Sequence, residues 1–250
     1  MLKLLVIIVL FVWFGAKLLP RMGSWLGVRS RKPFRQAKWM WSWVAGSEAE
    51  SLQAESDYGR ECARQFAAQF SGRPSRANQT LVDAVGSRLA AAVKDPRREF
   101  HFTVVDAPTA NAFALPGGFL FITGRLIDLC GRDEHELAFF LGHEMAHVLR
   151  GHARDQLTAG AFLNAVTGRL AGAGLMLREC LAKGYSRSLE LEADREGARL
   201  AAAAGFDPRA AGRGLSRLGQ AHGADGGLLE YFSSHPPLAE RVRALERAAS

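Results

Sequence analysis

The sequence predicts an α+β domain that is mostly helical, contains a small β-sheet and follows an N-terminal membrane helix. Apolar and polar residues alternate over 99–105, as is typical of a strand. In the segment 111–123, two short apolar runs flank the turn signal Pro116-Gly117-Gly118, which predicts a β-hairpin. Helical composition surrounds this region, with helices expected over about 47–70 and 78–93 and over most of the chain after the hairpin.

The N-terminal segment 1–20 is predicted to be a membrane anchor or signal-anchor. The run from Leu4 to Ala16 is apolar throughout, and with its flanking lysines it approaches the roughly 20 residues that a spanning helix needs. A cleavable signal peptide is the alternative, but Phe14-Gly15-Ala16 supplies only one of the two small residues that a cleavage site requires. The sequence therefore favours a single-pass, uncleaved anchor.

The segment 21–46 is predicted to be a basic, tryptophan-containing linker beside the membrane. Residues 1–47 hold eight Lys and Arg and no Asp or Glu, whereas the whole chain carries +7, so the remainder carries −1. A nearly neutral body argues against nucleic acid as a partner, and a basic N-terminal segment favours a membrane surface. The positive-inside rule places the body, residues 47–250, in the cytoplasm.

The stretch 133–152 predicts a helix that carries a metal site. Asp133 and Glu136 resemble a capping box at its start, and Gly151 is placed to end it. Between them lies an HExxH pattern formed by His143, Glu144 and His147. Histidines at i and i+4 share one helical face and can bind one zinc ion. Glu144, rotated by about 100° along the helix, is aimed at the open position of the metal and is predicted to be the catalytic base.

A second helix, predicted around 186–197, supplies a candidate third ligand. Glu190 and Asp194 share one face with Gly197, and a face of carboxylates and small residues can lie close against another helix. Two buried acids require a counter-charge, which zinc and its histidines provide. Glu190 is therefore predicted to bind the metal, and Asp194 to accept the outer N–H of His143. Glu192 lies on another face and is expected to be solvated.

Four motifs in this order, NAFALPGG, HEMAH, ELEAD and SSHPPLAER, resemble those of the membrane-linked gluzincin zinc metallopeptidases. That family includes the HtpX-type, Oma-type and periplasmic proteases and the CAAX prenyl endopeptidases, and the likeness covers about 55–248. It implies a zincin-like (gluzincin) fold over 47–250 and one Zn²⁺ per chain. It also agrees with Glu190 as the third ligand. Because some members of the family are periplasmic, a periplasmic location of residues 47–250 is an alternative to the cytoplasmic one.

The resemblance implies roles for two further motifs. The His of the HPP motif, His235, is expected to face the active site as a catalytic residue, and Arg241 matches the arginine that follows this motif in the family. A segment that borders the cleft is expected to pair with an extended substrate by β-augmentation, and it comprises Asn111, Ala112, Phe113, Ala114, Leu115, Pro116, Gly117 and Gly118. HtpX-type members carry further membrane helices around the zinc domain. This chain has only one other apolar stretch, 157–177, which is predicted to be a lid helix rather than a membrane span.

The remaining cysteines and histidines are given structural roles. Three cysteines without metal or redox spacing are predicted to be buried in apolar surroundings and not to form a disulfide framework, namely Cys62, Cys130 and Cys180. Four histidines are not expected to bind metal: His101 half-buried in a strand, His135 exposed in a first helical turn, His152 at a helix end that favours a cation, and His222 in a loop.

The function predicted from the sequence is that of a zinc-dependent metalloendopeptidase. It would hydrolyse peptide bonds in protein or peptide substrates by zinc-activated water, in quality control of misfolded or membrane-associated proteins. The alternative is a catalytically latent, zinc-bound scaffold or chaperone-like binder. Because a binder has no need of a base, Glu144 favours the enzyme.

Overall fold

A computed structural model describes residues 47–70, 72–156, 184–222, 235 and 238–248. Within these ranges the elements in chain order are α1 (Glu48–Ala67), α2 (Arg76–Ala92), β1 (His101–Val105), β2 (Ala112–Leu115), β3 (Phe119–Thr123), α3 (Gly124–Leu129), α4 (Glu134–Leu149), α5 (Arg187–Ala203), α6 (Ala210–His222) and α7 (Leu238–Ala248). Residues 152–156 are also helical. The predicted α+β class, mostly helical with a small sheet, is confirmed.

The strands form a three-stranded sheet in the order β1-β3-β2. β1 runs parallel to β3, whereas β2 and β3 form the predicted antiparallel hairpin, in which Leu115 pairs with Phe119. Gly117 and Gly118 make its turn with φ of 76° and 83°, a backbone conformation that residues other than glycine rarely adopt. A methyl group on Gly118 would lie 2.0 Å from the carbonyl oxygen of Glu99. The backbone conformation and the close approach to Glu99 therefore both require glycine in this turn.

α1 holds this turn from one side. The helix begins with a capping box, in which Ser47 and Glu50 each bond the other's backbone N–H. The buried carboxylate of Glu55 then accepts a hydrogen bond from the backbone N–H of Gly117 at 3.1 Å. Gly59 approaches so closely that a methyl group there would lie 1.8 Å from the carbonyl oxygen of Pro116. The end of the hairpin is thus fixed against α1.

α4 is the central helix of the core. Every residue from Glu136 to Val148 is buried, as is typical of a helix that is covered on all sides. It packs against α2, α5, α6 and the sheet. The core around it is built mainly from aliphatic and aromatic side chains, among them Val82, Leu89, Ile122, Leu126, Leu137, Phe139, Phe140, Leu141, Met145 and Leu215.

α5 lies against α4 with almost no side-chain spacer. A methyl group on Gly197 would lie 2.6 Å from the backbone nitrogen of His143, and one on Gly142 would lie 2.8 Å from the carbonyl oxygen of Gly197. Glu190 and Asp194, on the same face of α5, are buried. The inward orientation predicted for this face is confirmed, and it brings the two carboxylates to the histidines of α4.

Two local predictions differ from the structure. Asp133 caps α4 by accepting from the backbone N–H of His135 and Glu136, but the side chain of Glu136 does not return to Asp133. It is fully buried instead and accepts a hydrogen bond from Arg217 of α6 at 3.1 Å. His101 is exposed rather than half-buried, and its ring stacks on Phe119. His135 is exposed, as predicted.

Other predictions divide between confirmed ones and ones outside the described ranges. Cys62 and Cys130 are buried, as predicted. No helix in the described part of the chain has both the length and the apolar character to cross a bilayer. Four predictions fall on segments that the structure does not describe: the anchor at 1–20, the linker at 21–46, the lid helix at 157–177 and a buried Cys180.

Candidate metal centre

The two histidines of the HExxH pattern converge within α4. His143 and His147 lie one helical turn apart, and their Nε2 atoms are 3.1 Å from each other. Both side chains are buried. Nitrogen atoms this close, at the expected i, i+4 spacing, can reach a single ion.

Glu190 of α5 faces both histidines. Its Oε2 lies 3.6 Å from Nε2 of His143, and its Oε1 lies 3.4 Å from Nε2 of His147. Although burial opposes ionisation, the positive charge of His235 and hydrogen bonds from His147 and His235 hold the pKa of this carboxyl well below its usual range. Glu190 is therefore an anionic donor that is directed at the two imidazoles.

His235 completes a cluster of four donors. Its Nδ1 lies 3.0 Å from Oε1 of Glu190, and the candidate ligand atoms of His143, His147, Glu190 and His235 all lie within 4.8 Å of one another. A compact, buried set of imidazole nitrogens and a carboxylate oxygen matches the donors that zinc prefers. The residues present fit one zinc ion.

Glu144 lies beside the cluster and is not one of the four donors. Its side chain is buried, and its Oε1 is 3.5 Å from Nε2 of His235. Burial raises the pKa of this carboxyl, and the neighbouring histidines oppose the rise only in part. Burial alone would lower the pKa of His235, but the carboxylates of Glu190 and Glu144 raise it. The geometry matches a base that sits next to the metal position.

Asp194 and Arg241 support His143 from behind. Oδ1 of Asp194 lies 2.9 Å from Nδ1 of His143. Arg241 is fully buried and donates two hydrogen bonds to this carboxylate, at 2.8 and 2.7 Å, in the forked geometry of a strong pair. Although burial opposes it, the guanidinium lowers the pKa of Asp194 to about 2. Nη1 of Arg241 also donates to the carbonyl oxygen of His235 at 3.3 Å.

His147 has neighbours that sequence reasoning missed. Its Nδ1 lies 3.0 Å from Nδ1 of His152, and its ring stacks on Tyr185 with centroids 3.9 Å apart. Burial lowers the pKa of His147 to about 3 and also lowers the pKa of His152. His152, expected at a helix end that favours a cation, is instead buried in surroundings that disfavour the charged form. The signal in the sequence was Gly151, because glycine commonly ends a helix in the left-handed conformation, and its φ here is 76°.

Glu192 is also less exposed than predicted. It lies off the face of Glu190, as expected, but its side chain is only 34% exposed and contacts Arg150 at 3.3 Å. Its Oε2 is 3.8 Å from Nε2 of His152. Glu192 is therefore partly exposed and lies beside His152 and Arg150.

The predicted substrate segment lies next to α4. Ala112 to Leu115 form β2, an edge strand of the described sheet, and all four residues are buried. Just before it, the backbone N–H of Asn111 donates to Oγ1 of Thr123 at 3.0 Å. The same oxygen accepts from the first turn of α3, so a single hydroxyl joins the strand to the helix that follows the hairpin.

The fold and the donor set define the class of HExxH zinc metallopeptidases. The chain belongs to peptidase family M48, whose family model matches residues 76–249, more than half of the chain. The resemblance noted from the four motifs is thereby confirmed at the level of the family.

Several relatives carry the names of proteases. Mitochondrial metalloendopeptidase OMA1 from Schizosaccharomyces pombe is 32% identical over 209 residues, which cover 78% of this chain and 61% of the relative. The human mitochondrial metalloendopeptidase OMA1 is 36% identical over 169 residues, which cover 58% of this chain and 31% of the relative. A putative beta-barrel assembly-enhancing protease from Vibrio cholerae is 30% identical over 175 residues, covering 63% and 34%. The chain thus spans less than two thirds of the length of these relatives.

Proposed function

We propose that this chain is a zinc metalloendopeptidase that hydrolyses peptide bonds within protein substrates. His143, His147 and Glu190 would hold one zinc ion, which leaves a position for water and substrate. The observation that carries the proposal is the convergence of these three side chains in a buried cluster with Glu144 directly beside it. Membership of family M48 supports the same reaction class.

Each residue around the metal has a part in the proposed reaction. When bound, zinc polarises the substrate carbonyl and lowers the pKa of water. Glu144 takes the proton from the attacking water and passes it to the leaving amine nitrogen. Asp194 accepts the Nδ1–H of His143, so that the Nε2 lone pair of that imidazole faces the metal position. Arg241 holds the Asp194 carboxylate in place through two hydrogen bonds.

His235 is proposed to alternate between two roles. In the described structure its imidazole contacts Glu190 and Glu144, so it occupies the side of the cluster where a fourth ligand would lie. A fourth protein ligand takes the position that a catalytic zinc site leaves open, which would hold the enzyme at rest. After it withdraws, the same imidazole can donate a hydrogen bond to the oxyanion of the tetrahedral intermediate.

The segment Asn111 to Gly118 is proposed to bind the substrate backbone. β2 lies at the edge of the described sheet and packs against the helix that carries the histidines. An extended peptide added to this edge would run past the metal position. The backbone of the segment is fixed by Thr123 at one end and by α1 at the other.

A role in quality control of misfolded or membrane-associated proteins is proposed for the whole protein. The apolar segment 1–20 would anchor it in a membrane, and the basic residues after it would favour a cytoplasmic body. Membrane fractionation with N-terminal sequencing tests the anchor, and protease accessibility of the C-terminus tests the side. A mature N-terminus near Lys17 would contradict the uncleaved anchor.

A catalytically latent, zinc-bound scaffold is the second candidate. The contacts of His235 with Glu190 and Glu144 favour it, because a permanently capped metal would not admit substrate. The buried carboxyl of Glu144 favours the enzyme instead, since a scaffold has no use for a proton acceptor.

The Glu144→Gln variant of the full chain separates these candidates. Glutamine keeps the shape of the side chain but cannot accept the proton, so we expect one zinc per chain and loss of casein cleavage. Glu134→Gln, which removes an exposed acid from the same helix, is the control and should retain activity. Cleavage by Glu144→Gln at the wild-type rate, or no cleavage by the wild type, would contradict the enzymatic proposal.

A further inference from the structure

The outer nitrogen of His147 meets a second buried histidine. Nδ1 of His147 and Nδ1 of His152 are 3.0 Å apart, a hydrogen-bond distance, and His152 is only 8% exposed. One of the two nitrogens must carry the proton and the other must accept it. The direction of this bond follows from what the rest of the His147 ring does.

The Nε2 atom of His147 faces the donor cluster. It lies 3.1 Å from Nε2 of His143 and 3.4 Å from Oε1 of Glu190. An imidazole that binds zinc through Nε2 carries its proton on Nδ1. In the zinc-bound protein His147 is therefore the donor of the bond, and Nδ1 of His152 is the acceptor.

This direction also determines the state of His152. With Nδ1 as acceptor, its proton lies on Nε2, which is 3.8 Å from Oε2 of Glu192. That distance corresponds to an electrostatic contact rather than a hydrogen bond. Tyr185 stacks on the face of the His147 ring, so it restricts the ring plane while His152 is met through the ring edge.

The two metal-binding histidines therefore have different acceptors. His143 is met by the anionic carboxylate of Asp194, which Arg241 holds in place, whereas His147 is met by a neutral imidazole. We propose that His152 is a positioning residue for the zinc site, which accepts the Nδ1–H of His147 and so fixes its tautomer and ring orientation, with Glu192 orienting His152 in turn. This inference rests on the proposed zinc site.

The test compares two replacements of His152 in the full chain. His152→Leu fills the space without an acceptor, and loss of such a partner weakens metal binding by about 10- to 100-fold. His152→Asn places its side-chain oxygen close to where Nδ1 lies, so we expect zinc affinity within roughly threefold of wild type. His101→Leu, a surface histidine on β1, is the control and should bind zinc as the wild type does.

Two readouts that do not depend on peptidase activity decide the outcome. Zinc affinity is measured by competition with a chelator, and the geometry of the site by the visible absorption spectrum of the Co²⁺-substituted protein. We expect the leucine variant to change both, and the asparagine variant to restore both. Should the leucine variant not fold, His152→Met fills the same space with a weak acceptor, and the same expectations apply.

Two results would overturn the inference. In the first, the leucine or methionine variant binds zinc as tightly as the wild type. In the second, the asparagine variant is weakened as much as the leucine variant, because the effect would then come from packing alone. A wild-type chain that binds no zinc would overturn the proposed function itself, so the two failures are distinguishable.

Discussion

Single residues at the centre of this protein are arranged to balance buried charge. Three acids, Glu144, Glu190 and Asp194, are buried together, and Arg241 is fully buried among them. Buried carboxylates are tolerated only when charged or hydrogen-bonding partners surround them. The arginine and the histidines supply those partners here, and a zinc ion would add two further positive charges.

Replacement of His235 distinguishes between its two proposed roles, which are to cap the metal at rest and to donate a hydrogen bond to the oxyanion. Because His143, His147 and Glu190 suffice as ligands for a catalytic zinc, we expect His235→Ala to keep one zinc per chain. If the imidazole donates to the oxyanion, kcat should fall by about 100-fold, as for loss of one such donor.

The readouts for this variant are metal content and steady-state cleavage of casein. Wild-type chain under the same conditions is the reference for both. A rise in kcat would mean that His235 only caps the metal, and unchanged zinc content with an unchanged rate would contradict both of its proposed roles.

At this scale the sequence predicted a contact between two helix faces, because helical spacing identifies those faces, and it missed contacts with residues whose position no spacing indicates. The bond between Asp194 and His143 follows from two faces that meet, and it was predicted. Arg241 was known only through a family motif, because nothing near it in the chain indicates that it reaches Asp194. His152 was interpreted by a rule for helix ends, which takes no account of Tyr185 and α5 covering it.

Among the elements, the contact between α4 and α5 determines whether the ligands can meet. Gly142 and Gly197 let the two backbones touch, and the carboxylates of α5 reach the histidines of α4 because of that approach. A larger residue at either position would push the helices apart. The sequence indicated this contact through the small residues beside Glu190 and Asp194.

We therefore expect Gly197→Ala to lower both stability and zinc affinity. The added methyl group would lie 2.6 Å from the backbone nitrogen of His143, which cannot move aside as a side chain can. Overpacking of this kind costs about 1–3 kcal/mol. Thermal unfolding and chelator competition, performed on the same preparation, measure the two effects.

Gly212→Ala is the matched control. It lies within helix α6, and a methyl group there would have its nearest neighbour at 3.8 Å, an ordinary contact. Replacing a helical glycine by alanine where space allows stabilises by about 0.5–1 kcal/mol. Equal losses of stability and of zinc affinity in the two variants would contradict the role given to the α4–α5 contact.

The elements themselves were predicted well where local signals agree. The hairpin followed from its Pro-Gly-Gly turn, and α1, α2 and β1 lie within three residues of the expected ranges. The capping box at α4 was wrong in its second half, because Arg217 of α6 competes for the Glu136 carboxylate. A pattern within one helix cannot reveal a partner that another helix brings.

For the molecule as a whole, Glu136 links stability to pH. Its carboxyl is fully buried, and within the described residues only one of its two oxygens has a hydrogen-bond partner. Burial raises the pKa of Glu136 above its ordinary value of 4.5, and the half-exposed Arg217 offsets this only in part. The folded state therefore holds this proton more tightly than the unfolded state does.

The sign of the resulting pH dependence follows from proton linkage. As the pH rises above about 4.5, the unfolded state loses the Glu136 proton first, so this group lowers the free energy of unfolding. Glu136→Gln cannot titrate. We expect the stability of wild type relative to this variant to fall as the pH is raised from 4.5 through the folded-state pKa, measured by urea unfolding across that range.

Glu134→Gln, which removes an exposed acid two residues earlier, is the control for loss of one charge from α4. Each variant is compared with wild type at every pH, so that titration of the metal site cancels from the difference. If the stability of wild type relative to Glu136→Gln rises with pH, or changes with pH as it does for the control variant, the burial argument is contradicted.

On the largest scale, the sequence could predict which residues form the donor cluster but not how the last of them reach it. HExxH indicates two candidate ligands on one helix, and the inward face of α5 supplies the candidate third. His235 and Arg241 come from the C-terminal part of the chain, and their approach to Glu190 and Asp194 depends on how α7 packs on α5. Only the family motif indicated it, because long-range packing leaves no periodic pattern in a sequence.

The most direct test of the central claim is the zinc content of two variants on the same helix. Glu190→Ala removes the carboxylate that faces both histidines, whereas Glu196→Ala removes one that pairs with Arg150 and Arg199. Elemental analysis of the full chain should give one zinc per chain for wild type and for Glu196→Ala, and a marked loss for Glu190→Ala. Full occupancy in Glu190→Ala, or equal loss in both variants, would contradict the assignment of the site.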